Sequence, residues 1–177
     1  FIHAWKARWY DGAISIISFL ATLAFAPHLD RGIFIGVGLS VAVYLYRSMR
    51  PKVASLSFHE RAHRDSTYYK LSECQHVVAI RFGGPLFFAN SSYLEDQVLE
   101  RVQSMPDLHT IHIVANGIND IDASGEEVLS LLIDRLRSGG YVITFSGLNE
   151  NVTEVLKKTH LWERIGEENI FPTLVEA

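Results

Sequence analysis

The segment Asn116-Gly117-Ile118-Asn119-Asp120-Ile121-Asp122-Ala123-Ser124-Gly125 concentrates the groups best placed for chemistry. Ser124, with Glu127 three residues on, reads as a capping box that opens a helix. Backbone amides and the macrodipole at such a helix start favour an anion. A phosphate carried by Ser124 would gain those contacts, whereas Asp120 and Asp122 would repel it. Asp122, Ser124 and Gly125 are therefore the candidate regulatory loop, for phosphorylation or anion binding. The plainer alternative is a serine that only caps its helix.

A second pattern is His59-Glu60-Arg61-Ala62-His63, a formal match to H-E-x-x-H. On one helical face the two histidines would bind zinc and the glutamate would act as base. The surroundings do not suit it: Ser57, Ser66 and Thr67 lie close by, and Ser66 and Tyr69 stand where the extended zinc-protease pattern needs Gly-type and His-type positions. Glu73 or His76 could serve as a third ligand. The favoured reading is a solvated linker over 52–75, without a metal site. A membrane-tethered zinc hydrolase is the enzyme-class alternative.

These motifs need elements to hold them. From His76 the pattern alternates between strand and helix. His76–Phe82 is apolar and β-branched, and Gly83-Gly84-Pro85 marks a turn. Leu86–Ala89 then predicts a second short strand in a hairpin. Ser92 and Glu95 form a capping box before a helix with Leu94, Val98, Leu99 and Val102 inward. Thr110–Ala115 predicts another strand. The helix after Ser124 turns Val128, Leu131, Leu132 and Leu136 inward and closes at Gly139-Gly140. Tyr141–Phe145 is a strand, Asn149 or Asn151 caps a third helix with Val152, Val155 and Leu156 inward, and Ile170-Phe171 begins a last strand. The alternation predicts an α/β fold with a mixed, mostly parallel sheet. His109 and His112 flank a strand and read as packed or exposed rather than catalytic. There is no G-x-G-x-x-G, no Walker loop and no Ser/His/Asp set, so no catalytic residue and no cofactor is expected.

The first 51 residues are different. Between Gly12 and Tyr46 the only charges are Asp30 and Arg31. They divide two apolar runs, Gly12–Leu29 and Gly32–Tyr46, of 18 and 15 residues. Neither keeps a charged stripe of the sort a helix on a water-soluble core shows. Trp5, Trp9 and Tyr10 precede the first run; Tyr44 and Tyr46 lead into Arg47, Arg50 and Lys52 after the second. An aromatic belt followed by a basic collar predicts a transmembrane helical hairpin over 1–51, with both ends in the cytoplasm. Both runs are short against the roughly 20 residues of a full span. Gly32, Gly36 and Ser40 recur every four residues, a small-residue face for helix packing.

Charge divides the same way. Residues 1–56 carry a net +4 and residues 57–177 a net −8. Without a basic stripe, nucleic acid is not an expected partner. Cys74 is the only cysteine, which rules out an internal disulfide framework. The chain begins with Phe1-Ile2-His3, not the charged start of a signal peptide, and is read as a fragment of a longer protein.

Asp122-Ala123-Ser124-Gly125 after an apolar strand resembles the D-x-S-G signature of STAS domains. Gly84-Pro85-Leu86-Phe87-Phe88-Ala89-Asn90 is similar to the segment entering the first helix of STAS domains attached to SulP transporters. Gly32–Ser40 and Tyr46–Pro51 resemble the last membrane helix of SulP permeases and its exit. The resemblance implies a secondary anion transporter of the sulfate, bicarbonate or dicarboxylate class, of which this chain holds the last two membrane helices and a cytoplasmic STAS domain over 76–177. It implies an inner (plasma) membrane location. The implied partners are lipid, the rest of the membrane domain, a second copy in a homodimer and a cytoplasmic protein. No substrate-binding residue would lie in this part. The alternative is a membrane-anchored interaction or phospho-switch module resembling anti-sigma factor antagonists, in which the serine matching Ser124 is phosphorylated.

Overall fold

The computed structural model describes residues 9–25, 28–59, 62–65 and 74–177. They divide into two compact units after Ser48.

In the first unit, α1 spans Trp9–Ala24 and α2 spans Leu29–Ser48. Gly32 lies against Thr22 and Gly36 against Ser18, so the helices run antiparallel. A Cβ on Gly32 would stand 2.4 Å from Thr22 Oγ1. One on Gly36 would stand 2.7 Å from Ser18 Oγ. At Gly32 the Thr22 backbone lies within 2.5 Å as well, so a side chain there would push the helices apart, whereas at Gly36 the Ser18 hydroxyl would have to turn away. Ser40 lines the same groove, whereas Gly38 faces open space. Towards the other end of the pair, the Arg47 guanidinium lies 5.2 Å over the Tyr10 ring.

Within the described residues the apolar runs do not become full spans. The first helix stops at Ala24, and Phe25 already lies in a turn. At about 1.5 Å per residue, its 16 residues reach roughly 24 Å. The second is longer, but has Asp30 in its first turn and Arg47 in its last. Among the described residues, no helix is long and apolar enough to cross a membrane.

The second unit is built on a sheet of order β2-β1-β3-β4-β5-β6. Its strands are β1 (Lys52–His59), β2 (Ala62–Asp65), β3 (Val77–Gly83), β4 (Thr110–Val114), β5 (Val142–Ser146) and β6 (Ile170–Phe171). β1 runs antiparallel to both β2 and β3; β3 through β6 are parallel. Among the described residues its α-helices are α3 (Ser91–Ser104), α4 (Ala123–Ser138), α5 (Glu150–Lys158) and α6 (Leu161–Ile165). The mixed, mostly parallel α/β sheet is the one the sequence predicts.

Period-2 alternation sends Val78, Ile80 and Phe82 into the core, in register with Ile111, Ile113, Ile143 and Phe145. All of these are buried. Leu94 and Val98 of α3, Leu132 and Leu136 of α4, and Val152 and Leu156 of α5 close over them.

Several expectations need correction. Residues 52–59 and 62–65 are strands of the sheet, not linker. The H-E-x-x-H pattern straddles them, with Phe58 paired to His63 and His59 to Ala62. It is therefore not a helix, and the zinc-protease arrangement of two histidines one helical turn apart does not form. Glu60 and Arg61 lie outside the described residues, as does Glu73. Leu86–Ala89 is not a hairpin strand: Leu86 makes a single parallel bridge with Ile121. The cause is Asn90, whose side chain accepts from Phe87 N at 3.0 Å and donates to Pro85 O at 2.9 Å. That turns the chain directly into α3, so Ser92 lies inside the helix rather than capping it. The buried face of α4 is shifted too. Leu129 and Ile133 are buried, while Leu131 stands exposed.

Candidate functional site

The loop 116–125 is fixed on three sides. A short 3₁₀ turn, Ala115–Gly117, leads out of β4. A Cβ on Gly117 would stand 2.2 Å from Phe82 O, so only glycine fits where the loop crosses the end of β3. Leu86 N then donates to Asp120 O at 2.9 Å, and Asp122 N donates to Leu86 O at 3.0 Å. On the other flank, the Asn149 amide donates to Ile118 O and Asn119 O at 3.2 and 3.0 Å. The same side chain caps α5 by accepting from Val152 N at 2.8 Å. Ile118 and Ile121 are buried between these supports.

The helix after the loop starts two residues earlier than predicted. Asp122, not Ser124, is the N-cap of α4: its Oδ1 accepts from Gly125 N at 2.7 Å. Its Oδ2 accepts from Phe88 N at 3.0 Å. One carboxylate therefore ties the start of α4 to the segment entering α3. Gly125 is buried, and a Cβ there would stand 2.5 Å from Leu86 O. Ser124, one residue away, is exposed and its hydroxyl has no partner among the described residues. Phe88, held through its N–H by the Asp122 carboxylate, is 68% exposed and packs edge-on against Phe87.

The three predicted residues are thus brought together with separate duties. Asp122 fixes the turn, Gly125 allows the close approach, and Ser124 alone is left open to solvent. A carboxylate already occupies the positive end of α4. A second anion there would meet that charge, as would a phosphate on Ser124. Among the described residues, no group of three or more His, Cys, Asp or Glu side chains could hold a metal.

The family model for the STAS domain matches residues 68–177, which include this loop and the four parallel strands. The chain belongs to the STAS domain family. Outside that domain the similarity continues. "Probable sulfate transporter 4.2" of Arabidopsis thaliana is 27% identical over 192 residues, covering 99% of this chain and 28% of that protein. "High affinity sulfate transporter 2" of Stylosanthes hamata is 25% identical over 185 residues, covering 98% and 28%. The murine Slc26a9 anion transporter in its inward-facing state superposes with a TM-score of 0.85 at 21% identity, covering 99% of this chain and 29% of that one. At that identity the likeness concerns the fold. The chain spans under a third of the length of these relatives, and they are transport proteins rather than enzymes.

Two polar side chains of the STAS domain also sit differently from the sequence reading. His112 does not flank a strand but lies in the middle of β4, and is 4% exposed. Its Nδ1 lies 2.7 Å from Thr144 Oγ1 and its Nε2 2.8 Å from Ser146 Oγ, both on β5. Arg81 on β3 pairs laterally with Val114 and Ala54. The available signal was the alternation in Thr110-Ile111-His112-Ile113, which puts His112 opposite the face that meets the helices. His109 is exposed and stacks on His76 at 5.8 Å between ring centres.

Proposed function

We propose that this chain is the C-terminal part of a secondary anion transporter of the sulfate, bicarbonate or dicarboxylate class. The observation that carries the reading is the extent of the similarity. Sulfate transporters match 98–99% of the chain, across the helical pair as well as the STAS domain. In this reading α1 and α2 are the last two helices of the membrane domain, packed through Gly32, Gly36 and Ser40. Their outer surfaces support it: Phe34 is 74% exposed, and Ile33, Leu20 and Leu23 also point outward. Contiguous apolar surface of that kind is covered by lipid or by further helices. Their short length suits helices that close a bundle rather than line a path. The basic residues Arg47, Arg50 and Lys52 favour a cytoplasmic STAS domain, which regulates the transporter or pairs two copies. The transported anion binds in the part of the protein outside this chain.

Reconstitution of the complete gene product in vesicles tests this. Uptake of radiolabelled sulfate, bicarbonate or a dicarboxylate above that of empty vesicles is expected. Uptake of none of the three would refute the transporter reading.

The exposed hydroxyl of Ser124 favours a second reading, a STAS switch modified at that position. Its position suits a regulatory contact with a cytoplasmic partner. Ser124→Glu is expected to weaken that partner's binding at least severalfold while leaving the melting temperature close to the parent's. Calorimetric titration with the partner isolated on the full-length protein measures it. Unchanged affinity would remove the regulatory role of Ser124.

A further inference from the structure

A cavity of about 290 Å³ opens at the carboxyl ends of the parallel strands of the STAS domain. Arg81 comes from near the end of β3, Val114 from the end of β4, Asn116 from the 3₁₀ turn after it, and Ser146 from the end of β5. Thr173, just past β6, closes one side, and Leu56 of β1 the other. Carboxyl ends of parallel strands are where open α/β sheets place ligands, because the loops diverge there and leave a crevice. This volume lies at the lower limit of small-molecule sites.

The lining has one sign of charge. No carboxylate contributes to it, although residues 57–177 carry a net −8. Other guanidinium groups of the domain are engaged: Arg135 with Glu95 at 2.7 Å, Arg164 with Asp134, and Arg137 with Ile165 O at 2.5 Å. Arg81 pairs with no carboxylate among the described residues. A guanidinium fork presents donors in a geometry that matches an oxyanion.

Behind it, Ser146 is 1% exposed and is held by His112 Nε2. Neutral imidazole donates from one nitrogen and accepts at the other. When Nε2 carries the proton, Ser146 Oγ accepts from it and its own hydrogen is free to point into the cavity. Thr144 then donates to Nδ1. The three residues thus form a relay that presents a buried hydroxyl donor in the cavity that Arg81 also lines, two strands away across Val114, and the exposed Asn116 amide adds further donors.

We propose that this cavity binds a small oxyanion of sulfate or short-carboxylate size, with Arg81 as its charge partner and Ser146, positioned by His112, as its buried donor. The site shares only Asn116 with the loop 116–125, does not include Ser124, and does not depend on the transport reading.

The test is a titration of the full ¹⁵N-labelled chain in detergent micelles, with sodium sulfate against sodium chloride at matched ionic strength. Saturable shifts are expected at the Ser146 and Gly147 amides. The His112 ring nitrogens should move towards the Nε2–H tautomer, which a merely structural histidine would not do. Arg81→Gln, at an exposed position, should weaken binding about tenfold. Asn116→Ala should weaken it severalfold, and Lys158→Gln, which removes a cation elsewhere on the domain, should not change it. Linear shifts without saturation would overturn the proposal. So would equal affinity in Arg81→Gln, or equal loss in Lys158→Gln.

Discussion

Gly125→Val is expected to destabilise the STAS domain by about 3 kcal/mol, the upper end of ordinary overpacking. A Cβ at this position would stand 2.5 Å from Leu86 O and 2.9 Å from Leu86 C. Both are backbone atoms, and Leu86 is held at its N and its O by Asp120 and Asp122. No side chain can swing away to make room. Either α4 moves out or the Leu86–Ile121 bridge opens. Thermal unfolding followed by circular dichroism should show a drop of about 10 °C. Ser124→Ala, one residue earlier, provides the contrast. Its hydroxyl caps nothing, so the change should stay within about 0.5 kcal/mol. A Gly125→Val protein melting with its parent would refute the close approach described here.

Asp122→Ala should remove about 2 kcal/mol. Loss of an N-cap costs about 1 kcal/mol. The second hydrogen bond, to Phe88 N, also goes, and with it the negative charge at the start of α4. Asp122→Asn should restore part of the loss, because its single amide oxygen accepts one bond and carries no charge. Amide hydrogen exchange gives an independent reading. Protection at Gly125 and Phe88 should fall together in Asp122→Ala, though they are 37 positions apart. Loss at Gly125 alone would mean that the carboxylate does not join the two segments.

The sheet was legible because its strands are short apolar runs between turn residues. Gly139-Gly140 and Asn149 marked the ends of α4 and the start of α5 through chemistry that needs no tertiary context. The first strand was not read, although Ala54, Leu56 and Phe58 alternate with Ser55 and Ser57. Serines and histidines masked a period of two that was present. The cap of α4 was misplaced for a different reason. Asp122 and Ser124 are both good N-caps, and local propensity does not separate them. The bridge between Leu86 and Ile121 decides, since it fixes the backbone at Asp122, and that contact joins residues 35 positions apart. Likewise, Leu86–Ala89 has strand composition, but one buried amide at Asn90 bends it. The Arg81–Ser146 cavity could not have been read from sequence, because its members become neighbours only through strand order. The helical pair was legible in kind from its apolar runs, while its helix ends were set by turn geometry at Phe25 and by Asp30.

Strand β1 lies between β2 and β3, against the direction of the four strands beyond it. It supplies the hydrogen-bonding partner along most of β3, from Ala79 to Gly83. A domain cut at His76, where the strand-and-helix alternation starts, would leave that flank as a bare row of amides and carbonyls. Such a row templates pairing with another chain. Self-association of a shortened domain would then report the missing strand rather than the oligomeric habit of the native protein. Any study of how two copies meet should keep the chain from Lys52 onward.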